Sequence, residues 1–108
     1  YRNGGDGTFA ETTAAAGLPA DFTRTDGKNP VWFDFDRDAR PDLFIGGPFP
    51  HLYRNAGGGR FEDVTARIQL GDLRTVPFNF VAAAGDFDQD GWPDLYLGRF
   101  MMQDAILR

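Results

Sequence analysis

Asp86-Phe87-Asp88-Gln89-Asp90-Gly91-Trp92-Pro93-Asp94 places four carboxylates within nine residues. A second copy, Asp34-Phe35-Asp36-Arg37-Asp38-Ala39-Arg40-Pro41-Asp42, has aspartates at the same positions 1, 3, 5 and 9. Charges this dense repel one another unless a cation sits among them. All these side chains are hard oxygen donors with no Cys or His between them, so the implied ion is Ca²⁺, not zinc or copper. Mg²⁺ fits less well, because it keeps its waters and seldom fills an all-protein cage.

The two loops belong to a longer repeat. Asp34 maps onto Asp86 at a spacing of 52, and Tyr1-Arg2-Asn3 maps onto Tyr53-Arg54-Asn55 at the same spacing. Gly7 with Gly59, Phe9 with Phe61, Thr13 with Thr65, Leu18 with Leu70 and Leu43 with Leu95 stay in phase. Near the end Ile106-Leu107-Arg108 resembles Leu52-Tyr53-Arg54 displaced by two, which implies a small insertion in the preceding loop. A period of this length points to stacked units such as propeller blades, none of which buries its apolar face alone.

Composition narrows the class. In 108 residues there are 14 Gly and 7 Pro, and 15% of the chain is aromatic, which suits many short strands joined by turns. No apolar run approaches the ~20 residues that span a bilayer. The first residue is Tyr, and no signal peptide is read, so the chain is expected to be a processed product or a fragment. The absence of Cys rules out disulfides and leaves the redox compartment open. Calcium itself argues for a secreted, periplasmic or cell-surface setting. The net charge of −5 disfavours nucleic acid, and two bound Ca²⁺ would bring it to about −1. Much of the acidity is then ligand charge, not an acidic interaction surface.

The expected fold is all-β, with propeller blades of four antiparallel strands. Residues 30–33 and 81–87 read as strands entering the aspartate loops, and 42–46 and 94–98 as continuously apolar strands buried on both faces. A third strand at His51–Asn55, a Gly-rich hairpin at Ala56–Gly59 and a fourth strand at Arg60–Thr65 follow. Ala10–Gly17 has a helical composition, but its in-phase partner begins as a strand, so one helical turn at most is expected there. The window then holds an outer half-blade (1–17), a whole blade (30–69) and an inner half-blade (80–108), a partial propeller of about two repeats. Such a piece leaves strand edges open, which suits a fragment or a chain that assembles with copies of itself.

In each loop, side chains 1, 3 and 5 are expected to converge on the ion, with the carbonyl of position 7 and the carboxylate of position 9 completing the shell, following the logic of an EF-hand loop. The metal set is Asp86, Asp88, Asp90, the Trp92 carbonyl and Asp94, and in the first loop Asp34, Asp36, Asp38, the Arg40 carbonyl and Asp42. Gly91 supplies the sharp turn at position 6. Ala39 stands there in the first loop, and if that position needs a positive φ, the first site binds more weakly. The competing reading, aspartates that merely cap backbone N–H groups in polar turns, is weakened by two copies in identical phase.

Gly-Asp-Phe-Asp-Gln-Asp-Gly-Trp-Pro-Asp-Leu-Tyr-Leu-Gly (85–98), alternating with Leu52-Tyr53-Arg54-Asn55 and Asp63-Val64-Thr65, resembles the FG-GAP/VCBS repeats of integrin-like β-propellers. The last two elements resemble the bacterial branch found beside ASPIC/UnbV domains. The resemblance implies calcium-stabilised blades in secreted or surface proteins that act in adhesion and protein binding. Ala39 departs from the family loop, as does Ala10-Glu11-Thr12 where Asp-Val-Thr is usual.

Catalysis is not expected. Glycosidase acids flank a sugar from separated positions, whereas these crowd one loop. His51 is the only histidine, and no nucleophile elbow is present. The Gly-rich turns lack the Lys-Ser/Thr pair of a phosphate loop. Phe9, Phe35, Phe61 and Phe87 recur in phase and read as core or inter-blade packing, and Arg2/Arg54 and Asn3/Asn55 as braces. The loops 46–50 and 99–104, at the end opposite the calcium loops, differ most between repeats and are where ligand specificity is expected. His51, Arg74, Phe78, Arg99, Phe100 and Met101 are the contact candidates, for a protein or glycan ligand. The alternatives are a lectin-like propeller, for which Trp32 and Trp92 speak, an accessory domain of a secreted polysaccharide-degrading enzyme, and a self-assembling ring or fibre.

Overall fold

The computed structural model describes residues 1–20, 28–47, 49–68, 79–99 and 105–107. Among the described residues nine strands fall into three antiparallel sheets: β1 (Arg2–Asn3) with β2 (Phe9–Ala10), then β3 (Lys28–Phe33), β4 (Asp42–Gly46), β5 (His51–Gly57) and β6 (Arg60–Asp63), then β7 (Asn79–Gly85), β8 (Asp94–Arg99) and β9 (Ala105–Leu107). Neighbours in each sheet are neighbours in sequence, an up-and-down order consistent with a partial β-propeller and without a closed barrel. No helix among the described residues is long and apolar enough to cross a membrane.

Register shows how the repeat is built. Leu43 faces Tyr53 on β4 and β5, and its phase partner Leu95 faces Leu107 on β8 and β9. Tyr53 and Leu107 are 54 apart rather than 52, which is the two-residue insertion inferred from the sequence. Strand direction brings both aspartate loops and the Gly-rich hairpin to one end of the sheets, with Gly46, His51 and Asp63 at the other.

β4 is buried along its whole length because it has a core on each face. Phe44, Leu52, Val64, Leu95 and Leu97 form one cluster, with Val31, Phe33, Phe35, Ala82 and Ala84 against it, so the four- and three-stranded sheets pack face to face with β3 beside β7. Leu43, Ile45 and Tyr53 form a second cluster on the opposite face, covered by Leu18 and Phe61. The phenylalanine expectation holds for Phe35 and Phe61 only. Phe9 and Phe87 are more than half or half exposed, because each lies on a part of the fold that no second described sheet covers.

Residues 13–18 form the single helical turn that the composition allowed. The Leu18 N–H donates to the Thr13 carbonyl and the Gly17 N–H to the Ala14 carbonyl, with Gly17 at φ 77°, the pattern of a Schellman cap. The Phe61 N–H donates to the Ala16 carbonyl at 2.8 Å, which fastens this turn to β6.

The fourth strand ends two residues sooner than read, at Asp63, because Asp63 Oδ1 accepts from the Thr65 N–H and turns the chain into a 3-10 segment at Thr65–Arg67. Thr65 Oγ1 in turn accepts from the Leu52 N–H, and the Val64 N–H donates to the Leu52 carbonyl. The Asp-Val-Thr element is thus a latch from β6 to β5. In the first repeat the 52-residue phase pairs it with Glu11-Thr12-Thr13, one residue later than the Ala10-Glu11-Thr12 stretch compared with the family motif. There Glu11 Oε1 accepts from the Thr13 N–H at 2.8 Å, so the longer acid repeats the work of Asp63.

Candidate metal centre

Both aspartate loops share one hydrogen-bond skeleton. Asp34 accepts from the Asp38 and Ala39 N–H groups through Oδ1 and Oδ2 at 3.0 and 2.8 Å. Asp86 accepts from Asp90 and Gly91 in the same way, at 3.1 and 2.9 Å. Position 9 reaches back to the start of each loop: Phe35 N–H donates to Asp42 Oδ2 at 3.0 Å, and Phe87 N–H to Asp94 Oδ2 at 2.9 Å. Positions 4 and 6 carry positive φ in both loops, at Arg37 and Ala39 and at Gln89 and Gly91.

These turns gather oxygen atoms. Acceptors from Asp34, Asp36 and Asp42 lie within 4.8 Å of one another, as do those from Asp86, Asp88 and Asp94. Asp42 and Asp94, where β4 and β8 begin, are the buried members. The Asp38 and Asp90 carboxylates are instead engaged at the turn, accepting from the Arg40 and Trp92 N–H groups at 3.0 and 2.8 Å.

The first loop is neutralised in part by arginine. Arg54 Nε donates to Asp36 Oδ2 at 2.5 Å and Arg54 Nη2 to Asp38 Oδ2 at 2.9 Å. Arg40 Nη2 also reaches Asp38 Oδ2, while its Nε donates to the Asn55 carbonyl. Asn55 itself binds the loop twice, through its N–H to Asp42 Oδ1 and its Nδ2 to the Pro41 carbonyl. Of the braces read from the sequence, Arg54 and Asn55 are therefore aimed at the aspartate loop, whereas Arg2 and Asn3 lie exposed on β1.

Charge follows from this geometry. The hydrogen bond from Arg54 holds the Asp36 carboxyl below the usual aspartate range. Burial pushes Asp42 up, and the like charges of Asp36 and Asp38 add to it against the N–H groups of Asn55 and Phe35. Asp36 Oδ1 is enclosed with no hydrogen-bond partner. An all-oxygen donor set, a carboxylate crowded by its neighbours and an unpartnered acceptor are what a hard divalent cation satisfies, so the residues fit Ca²⁺.

Ala39 sits at φ 64°, in the left-handed region that favours glycine. Ala39→Gly is therefore expected to stabilise the chain by about 0.5–1 kcal/mol. A denaturant midpoint that stays level or falls would contradict it.

The loops also touch each other. Arg37 stacks its guanidinium 5.0 Å from the centre of the Trp92 ring. Sequence phase could not show this contact, because it joins position 4 of one repeat to position 7 of the next.

At the other end, His51 lines a cleft of about 410 Å³ with Phe49, Pro50, Asp63, Thr65 and Ala66. Its ring stacks on Tyr53, and Nδ1 lies 3.2 Å from Asp63 Oδ2. Burial would raise the Asp63 carboxyl, but hydrogen bonds from Thr65 and His51 hold it low. Arg99 ends β8, its side chain outside the described part; Arg74, Phe78, Phe100 and Met101 lie outside the described residues. Trp32 is half exposed and meets Phe61 edge-on at 6.0 Å.

Comparison with known families agrees with this architecture. Residues 47–97 match the model of the FG-GAP-like repeat, a span that runs from β5 into β8 and contains the second aspartate loop. No curated protein and no solved structure matches the chain.

Proposed function

We propose that the chain is part of a calcium-stabilised β-propeller that serves as a secreted, periplasmic or surface binding and assembly module, without catalytic residues of its own. The supporting observation is the pair of loops 52 residues apart, with one hydrogen-bond skeleton and three converging carboxylates in each. Asp34, Asp36 and Asp42 would hold one ion and Asp86, Asp88 and Asp94 the other. Asp38, Asp90 and the carbonyls of Arg40 and Trp92 are the remaining candidates of each shell. The Leu52–Asn55 and Asp63–Thr65 elements favour the bacterial branch of FG-GAP/VCBS repeats found beside ASPIC/UnbV domains.

The metal works through stability in this reading, and ligand recognition falls to the opposite end, where His51 and Phe49 line the cleft. A protein or glycan is the class of ligand that such a shallow, mixed apolar and polar surface suits. Self-assembly through open blade edges is supported by Phe9, Trp32 and Ile106, each at least half exposed.

Calorimetric titration with Ca²⁺ tests the metal reading. Two binding events are expected, the weaker at the Asp34–Asp42 loop, and Asp88→Asn should remove the tighter one. A titration without binding heat at several temperatures would overturn it.

A further inference from the structure

We infer that Arg54 is a built-in counter-cation of the Asp34–Asp42 loop, which keeps that loop folded without calcium while weakening its hold on the ion. The inference rests on the calcium reading above. The loop brings together four carboxylates, Asp34, Asp36, Asp38 and Asp42. Asp34 and Asp42 are satisfied by main-chain N–H groups, which carry no net charge. The Oδ2 atoms of Asp36 and Asp38 accept from the guanidinium groups of Arg54 and Arg40. The four carboxylates and the two guanidiniums in contact with them leave a formal charge of −2, the charge that one divalent cation neutralises; the third arginine, Arg37, is turned onto Trp92.

The fork geometry matters. Arg54 spans two carboxylates, Nε on Asp36 and Nη2 on Asp38, which the single ammonium of a lysine does not reproduce. Its backbone is fixed on both sides of the residue: Tyr53 is buried in the second core cluster, and the Asn55 N–H is bonded to Asp42 at 2.6 Å. The arginine therefore arrives at the loop already positioned by β5. It also leaves Asp36 Oδ1 enclosed and unpartnered.

A fixed positive charge acts in opposite directions on the two states. With calcium absent it relieves the mutual repulsion of Asp36 and Asp38. When calcium is bound it repels the ion. Arg54→Met is thus expected to lower the melting temperature of the chelator-treated chain and to tighten calcium binding at this loop on the order of tenfold, the factor that Coulomb's law gives for one charge near a divalent ion in a water-like dielectric. Arg54→Lys should restore only part of the metal-free stability.

The dissociation constant is read by calorimetry in an Asp88→Asn background, so that the first loop is observed alone. Should the Met variant fail to fold without calcium, Arg54→Gln carries the same comparison. Weaker or unchanged calcium binding in the variant, or an unchanged metal-free melt, overturns the inference and leaves the calcium reading standing. Absence of calcium binding in the parent chain overturns both, and the parent titration comes first for that reason.

Discussion

Asp42→Asn is expected to destabilise the chain by about 4–5 kcal/mol in saturating calcium and by only about 2 kcal/mol after chelation. Asp42 is fully buried, and each of its oxygens accepts a main-chain N–H, from Phe35 and from Asn55. Asparagine offers one oxygen and one NH₂, so one buried N–H loses its acceptor, and that accounts for the part that chelation leaves. The remainder is the lost metal site, about 2.7 kcal/mol at a hundredfold excess over the dissociation constant. Denaturant midpoints with and without calcium separate the two parts. An equal loss in both conditions would make Asp42 a structural cap and nothing more.

Gly17→Ala is expected to cost about 3 kcal/mol with or without calcium. Gly17 has φ 77°, where a Cβ costs about 1–2 kcal/mol. The added Cβ would also stand 2.8 Å from the Phe61 carbonyl oxygen, so the turn must back away from β6. Overpacking of this kind typically costs another 1–3 kcal/mol. The first casualty is the bond from the Phe61 N–H to the Ala16 carbonyl, and with it the cover that Leu18 gives to Leu43, Ile45 and Tyr53. Hydrogen exchange at Phe61 should accelerate together with the drop in midpoint. A loss below about 0.5 kcal/mol, the usual size of a surface change, would contradict the close approach.

What was legible in the sequence depended on whether a feature repeats. The strand order and the aspartate loops were readable because each appears twice in phase and because apolar runs such as Leu43-Phe44-Ile45 need two buried faces. Features that join one element to a distant one were not. Arg54 was recognisable as a brace, but its target was not, since the reach from β5 to Asp36 and Asp38 depends on register and side-chain length. The Arg37–Trp92 stack crosses repeats and leaves no periodic trace. Glu11 in place of Asp63 hid the acid-capped turn of the first repeat, because the longer acid makes the same bond to Thr13 from a sequence that no longer resembles the motif. Phe9 and Phe87 recur with the period, yet periodicity reports the packing of a complete array, and in this span their faces are open.

The central claim is that the two loops are structural calcium sites. Its most direct test is a thermal melt of the chelator-treated chain with calcium or magnesium added back at matched ionic strength. At a hundredfold excess over the dissociation constant, each site adds about 2.7 kcal/mol, which for a chain of this size raises the melting temperature by roughly 10 °C or more. Calcium is expected to produce that rise and magnesium to produce little of it. A melting temperature that does not respond to calcium would contradict the account and leave the aspartate loops as hydrogen-bonded turns in a repeated β scaffold.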